Sequence, residues 1–458
     1  MADMSRRGFL LAAGAGVAGT VAAWPRLTAA DVPGRGEDAL RVAIMGTAQD
    51  AEGRKTIVAE FERRFPGIKV RVQPIQAADW SQFFAKILTM VAAGTPPDVC
   101  YVATEGVQLF ADRLGEPLDR FVTRDKAVMQ EYFSDVHPSL VEAAMYEGSL
   151  FQTPIDFNAA NVYYNAAAYR RAGLERPADD WSTDDFLAAA RKVQQADRSI
   201  RPFFWTNRLW GGIVPWLYIN DTSFLTESKA PGGRWMWDTF YADDPSSAQR
   251  GGGYRWLHSN AQDPRVLESF ELLRQMVADG LASSPAQGGG NELVGLFSGG
   301  RIAMTPAGGF WAQGLHDGGM KPTDFDVAYF PRWRSQRHQY GAAGNMILKT
   351  SKRKDEAWEW VKFNLSQEAM QLALPKPTTT PARRSMVNAA FYAETGPQHW
   401  QVFYDTLDRF PTSGPIPAPP QQAAVETALI KNVTAAVTGD PKKALASLDR
   451  DLTTALKT

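Results

Sequence analysis

The chain has 458 residues, more than one hydrophobic core usually holds, so two lobes are expected. Hydrophobic residues make up 44% and charged residues 22%, the balance of an ordinary globular protein rather than a disordered or fibrous one. A formal net charge of -1 gives no sign of a nucleic-acid partner, for which a basic stripe would be expected.

Taken from the N-terminus, Ser5-Arg6-Arg7-Gly8-Phe9-Leu10-Leu11 precedes an apolar, Ala/Gly-rich run to Ala23 and the small residues Thr28, Ala29 and Ala30. This is the layout of a signal peptide over residues 1–30, and the paired arginines point to the twin-arginine route into the periplasm. The run is too short and too rich in Gly and Ala to favour a membrane span. A single cysteine, Cys100, forms no intramolecular disulfide and lies too far from the leader to carry a lipid, so it reads as a small buried hydrophobe.

Beyond a polar stretch over 31–38, residues 40–45 alternate as a first strand, 54–65 form an amphipathic helix stopped by Pro66-Gly67, and 68–72 form a second strand. A helix over 80–93 ends at Gly94-Thr95-Pro96-Pro97, before a buried strand over 98–102. Strands follow at 162–164, 301–305 and 326–330; helices at 166–172, 183–196, 263–279, 293–297, 355–374, 423–437 and 441–456. The stretch 205–258 is Gly- and Trp-rich and reads as irregular. Alternation of strands and helices predicts an α/β fold with parallel βαβ units.

Seven segments, in order, are similar to one family. They are residues 54–72, Gly94-Thr95-Pro96-Pro97-Asp98-Val99, Gly148 to Pro154 with Val162-Tyr163-Tyr164-Asn165, Arg171 to Phe186, Phe297 to Trp311, Asp355 to Phe363, and Thr380-Pro381-Ala382-Arg383. Together they resemble the extracytoplasmic sugar-binding proteins of ABC importers, the maltose-binding-protein-like family. The resemblance implies a two-lobed periplasmic-binding-protein fold of type II, with a ligand cleft between lobes joined by hinged crossovers. It implies a first lobe of residues 38–155 plus 307–346 and a second of 158–304 plus 347–458. It further implies a monomer that takes up a carbohydrate, docks on the permease transmembrane subunits, and uses no cofactor, no metal and no catalytic residue. Val425 and Glu426 stand where maltose-binding protein places a stacking Trp, which argues against maltose itself.

Sugar capture requires aromatic faces for the rings and carboxylates or amides for the hydroxyls, placed on loops after parallel strands. Matched to the family, the candidates are Asp50 beside Gln49, Trp80, Glu105, Asp156 and Asn158. The second lobe adds Trp205, Asn207 and Trp210; Trp311 is the expected stacking ring, and Gly344, Asn345 and Arg383 complete the set. Asp156 and Asn158, two apart, share a side of an extended chain. The same fold could instead carry a polyamine, a glycerol phosphate or a peptide, and a secreted carbohydrate-active enzyme would use a similar set of Trp and carboxylates. The five His, at 137, 258, 316, 338 and 399, have no metal-ligand spacing, and neither a nucleophile elbow nor a P-loop is present.

Overall fold

A computed structural model describes residues 39–284, 291–373 and 379–457. The expected leader over residues 1–30 lies outside them.

Nine strands and ten helices position the site. In chain order they are β1 (Ala39–Met45), α1 (Lys55–Arg64), β2 (Lys69–Ile75), α2 (Trp80–Ala92), β3 (Val99–Ala103), α3 (Thr104–Arg113), α4 (Pro138–Ala143), β4 (Thr153–Ala159), β5 (Asn161–Asn165) and α5 (Thr183–Ala196). Then come β6 (Arg201–Phe203), α6 (Pro264–Ala278), β7 (Ile302–Ala307), α7 (Trp311–Asp317), β8 (Phe325–Ala328), β9 (Gln339–Ile347), α8 (Lys354–Asn364), α9 (Gln422–Thr438) and α10 (Pro441–Ala455). Local chemistry sets the boundaries. Asp79 caps α2 by accepting from the Gln82 amide, and Ser182 and Asp185 form a reciprocal capping box on α5. Pro264 and Pro441 open α6 and α10, each behind a capping Asp.

The strands form two principal sheets, one per lobe. The first runs β4-β9-β3-β1-β2, extended at the β4 edge by Thr380–Pro381; the second runs β8-β5-β7-β6. β1 and β3 are parallel, as are β7 and β6, whereas β9 is antiparallel to both β3 and β4. The strands expected over 40–45, 68–72, 98–102, 162–164 and 301–305 are all present. Cys100 is a fully buried residue of β3. β9, central to the first sheet, gave no periodic signal. All nine of its residues are buried, so both faces are covered, and its Gly- and Ala-rich sequence lacks the polar alternation of a half-exposed strand.

Sheet membership also departs from the lobe boundaries read from the sequence. β8, inside 307–346, pairs with β5 in the second sheet. α8, inside 347–458, packs Trp360 edge-on against Phe61 of α1 at 5.1 Å, on the first lobe. α9 and α10 do pack on the second lobe, burying Val425, Leu429, Leu445 and Leu448 in the core that holds Phe270 and Leu273 of α6. The chain thus passes between lobes more often than a simple three-crossover division allows.

The stretch 205–258 is largely ordered, with helices at Val214–Ile219 and Arg234–Phe240 and a short hairpin pairing Ser228–Lys229 with Tyr254–Arg255. It leaves the second lobe at a neck where Leu225 bridges Ser259, and it docks on the first lobe. There Met236, Trp237, Phe240 and Tyr241 join the first-lobe core, Tyr241 Oη donates to the Val136 carbonyl at 2.9 Å, and Trp235 Nε1 donates to the Gly148 carbonyl at 3.1 Å. Gly253, at φ +103°, lies so close that a Cβ would sit 2.3 Å from the Met145 carbonyl oxygen, so only Gly fits. Glu142 of α4, wholly buried, holds the excursion through Lys229 and Arg250, both at 2.9 Å.

Candidate functional site

The segments that follow β1, β3, β6 and β7, together with residues within β4 and β9, enclose a cavity of about 310 Å³. The first lobe supplies Met45 at the end of β1, Trp80 at the start of α2, Tyr101 and Ala103 from β3, Glu105 one residue into α3, Asp156 and Asn158 from β4, and Gly341, Ala342 and Ala343 from β9. The second supplies Arg208 and Trp210 from the loop after β6, and Phe310 from the turn after β7; Thr379 closes one edge. A larger cavity of about 640 Å³, around Arg198, Arg201 and Arg301, opens at the opposite, amino-terminal edge of β6 and β7. Phe204 is the one ring among the described residues that line it, so it offers less for stacking.

The cleft floor follows from strand register. Asp156 pairs with Ala343, and Ala343 with Ala103, so three adjacent strands present one carboxylate and two methyls in a row. Small side chains there leave room for a ligand. Asn158, two residues along β4, is on the same face. Its Nδ2 donates to Thr379 Oγ1 at 3.1 Å and its Oδ1 accepts from the Phe310 amide at 3.3 Å, which fixes the aromatic turn. Two pairs of rings form the walls. Trp80 lies 6.3 Å from Tyr101 on one side, and Trp210 meets Phe310 edge-on at 5.1 Å on the other.

Charge within the cavity is unevenly satisfied. Asp156 accepts a hydrogen bond from the Tyr101 hydroxyl, and Arg54 sits over the Tyr101 ring at 5.9 Å. Burial pushes the Asp156 carboxyl up to about 7 against the opposing pull of Tyr101 and Arg54. Burial also pushes Glu105 up to about 7; the Glu426 charge adds to this, while its own backbone amide and Arg208 oppose it. Arg208 rests 5.4 Å from the Trp210 ring. Beside the cleft, Ser81 of α2 donates to Glu426 of α9, and Gln422 donates to Ser81 Oγ at 2.9 Å and to Glu426 at 2.7 Å. These bonds clasp the two lobes together.

The cavity gathers five of the residues singled out in the sequence: Trp80, Glu105, Asp156, Asn158 and Trp210. The others have different work. Trp311 is 2% exposed and packs on Tyr163 and Phe297, because the first turn of α7 rotates it inward and leaves Phe310 facing the cleft. Trp205 is fully buried with Nε1 donating to the Ser283 carbonyl at 3.0 Å, and Asn207 ties its loop to α9 through the Ile430 carbonyl and Thr434 Oγ1. Gly344 and Asn345 are interior residues of β9, set beyond the cleft by the register that brings Gly341 to Ala343 into it. Arg383, 1% exposed, pairs with Glu131 at 2.8 Å and Asp135 at 3.3 Å and braces the first-lobe core. Asp50 caps the short helix Ala48–Gly53 through Thr47 and lies outside the cavity lining. Tyr101, Arg208 and Phe310 were missed. No local signal marks any of the three: Tyr101 sits in a continuous apolar run, and Arg208 and Phe310 lie in irregular turns.

A sequence model of the family described as bacterial extracellular solute-binding protein matches residues 47–371. A Brucella abortus (strain 2308) relative named as a binding protein is 23% identical over 307 residues, 66% of this chain and 66% of the relative's length. Among solved structures, an ABC substrate-binding protein from Listeria monocytogenes in complex with cycloalternan superimposes with a TM-score of 0.72 at 20% identity, over 91% of this chain and 98% of that one. UgpB from Mycobacterium tuberculosis in complex with glycerophosphocholine gives 0.71 at 17% identity, over 92% and 98%. Identities this low speak for the fold, which is the two-lobed periplasmic-binding-protein architecture that the sequence motifs resemble. The matched family model spans most of the folded region, so the chain belongs to the bacterial extracellular solute-binding protein family.

Proposed function

We propose that this protein is the capture component of an ABC importer, that it closes on a mono- or oligosaccharide between its lobes, and that it delivers that sugar unchanged to the permease transmembrane subunits. The reading rests on one observation: aromatic pairs from both lobes, Trp80 with Tyr101 and Trp210 with Phe310, face a cavity whose floor carries Asp156 and whose rim carries Glu105. Flat rings suit the apolar faces of pyranoses, and carboxylates and amides suit their hydroxyls. A cavity of about 310 Å³ lies at the small end of the ~300–1,000 Å³ range of ligand sites, which favours one or two sugar rings. Arg208 in the lining disfavours a polyamine, which would meet a like charge. The reading includes export to the periplasm as a monomer, with residues 1–30 as a twin-arginine leader; replacing Arg6 and Arg7 by Lys should then retain the precursor in the cytoplasm.

A thermal-shift screen of the folded chain against mono- and disaccharides, with putrescine, glycerol 3-phosphate and a tripeptide as controls, tests the ligand class. Stabilisation by saccharides without release of any product supports it. Stabilisation by a control alone sinks it.

A further inference from the structure

The cleft contains a cation without a partner. Three other shielded arginines, Arg250, Arg337 and Arg383, have side chains 8%, 16% and 1% exposed, and each reaches a carboxylate within 3 Å. This is the usual arrangement, since a guanidinium withdrawn from water is costly unless an anion accompanies it. Arg208 breaks the pattern. Its Nε is buried without an acceptor, as are those of Arg250 and Arg337, but those two reach a carboxylate through their terminal nitrogens, whereas the part-exposed Arg208 guanidinium reaches none among the described residues and lies by the Trp210 ring. The acids that feel its charge, Glu105 and Glu426, stay out of pairing distance, and Glu426 is already held by Ser81 and Gln422.

We infer that Arg208 is a specificity-determining residue that pairs with a carboxylate on the ligand, so that the captured saccharide is an acidic sugar of the uronate type. This rests on the saccharide reading of the same cleft and narrows it. A hydroxyl would satisfy individual N–H groups, but only an anion also offsets the charge, and a planar carboxylate matches the guanidinium fork with two parallel hydrogen bonds. One lone cation suits a monoanion; a phosphate dianion calls for more than one. The neighbouring acids do not forbid the arrangement. Tyr101 occupies one oxygen of Asp156, and burial raises both Asp156 and Glu105 to about 7, which lessens the negative charge that a ligand carboxylate would meet beside Arg208.

The test is isothermal titration calorimetry of the full-length folded chain with D-galacturonate, digalacturonate and D-glucuronate against D-galactose, digalactose and D-glucose, with glucose 6-phosphate to distinguish a phosphate from a carboxylate. It uses the wild type, Arg208→Lys and Arg208→Gln. The expected result is that the wild type binds an acidic sugar at least about tenfold more tightly than its neutral counterpart. Arg208→Gln should lose about tenfold or more for the acidic sugar and less for its neutral counterpart, so that the acidic-over-neutral preference collapses, and Arg208→Lys should fall between, since it keeps the charge and loses the fork. Neutral sugars binding as tightly as acidic ones, an unaffected Arg208→Gln, or a preference for the sugar phosphate would each overturn the inference while leaving saccharide capture intact. A wild type that binds no saccharide at all overturns the saccharide reading and this inference together.

Discussion

The Tyr101 hydroxyl donates to the Asp156 carboxylate across the central strand β9, joining β3 to β4 over a gap where Ala343 presents only a methyl. The bond holds one carboxylate oxygen in place and leaves the other free to accept from a ligand. Replacing Asp156 by Ala should weaken ligand binding about 10- to 100-fold, the range for a hydrogen bond to a charged group. Tyr101→Phe should weaken it less and raise the Asp156 pKa further, because the hydrogen bond from Tyr101 opposes the upward push of burial. Calorimetry and a carboxyl-resolved NMR titration check the two effects.

The rings divide by role. Phe310→Ala should cost roughly tenfold in affinity with little loss of thermal stability, because it removes a part-exposed cleft wall, whereas Trp210→Ala should lower both, because that ring lines the cleft and is also buried in the second-lobe core. Trp311→Ala and Trp205→Ala remove buried core instead and should destabilise by about 3–5 kcal/mol. Urea unfolding alongside ligand titration separates the classes; a stable Trp311→Ala with lost affinity would contradict the assignment.

Stability should depend on pH through the two cleft acids. Glu105 and Asp156 are both raised to about 7 in the folded protein, whereas unfolded carboxyls titrate near ~4. The folded state therefore retains protons that the unfolded chain has released. The resulting stabilisation is present in full at low pH and is lost as pH rises through about 7. The groups facing these acids, Tyr101, Arg54, Arg208 and Glu426, are already included in that direction. The melting temperature of the unliganded protein should thus drop more steeply between about pH 5 and pH 7 for the wild type than for a Glu105→Gln/Asp156→Asn variant. Parallel profiles would remove this account.

The docked excursion depends on Glu142. Its carboxylate accepts from Lys229, Arg250 and the Gly251 amide, and its side chain is 0% exposed. Glu142→Ala leaves a buried guanidinium unpaired and should destabilise by about 3–5 kcal/mol, measured by urea unfolding. Limited proteolysis should then cut first within 227–257, whereas cleavage elsewhere would show that the excursion does not depend on this residue.

The clasp predicts a shift in closure. Ser81→Ala removes the bond from α2 to Glu426 and should favour a more open form, seen as a larger radius of gyration without ligand and an affinity lower by a few-fold. An unchanged scattering profile would assign the contact no part in closure.

The sequence by itself determined the elements and much of the site. Alternation located β1 and β2, a short apolar run behind Gly94-Thr95-Pro96-Pro97 located β3, and amphipathic spacing with a Pro/Gly stop located α1, because those are rules of neighbouring residues; the resemblance to the sugar-binding family brought forward Glu105, Asp156 and Asn158, which the cavity gathers. Tertiary structure decided the rest. Successive residues at the start of a helix point ~100° apart, so the choice between Phe310 and Trp311 depended on where Tyr163 and Phe297 left room for a buried ring. β9 was invisible because burial on both faces erases periodicity. Arg208 became a site residue only when folding brought it opposite Glu105, 103 positions away in the chain, and left it without a counter-ion; no local pattern records the absence of a partner.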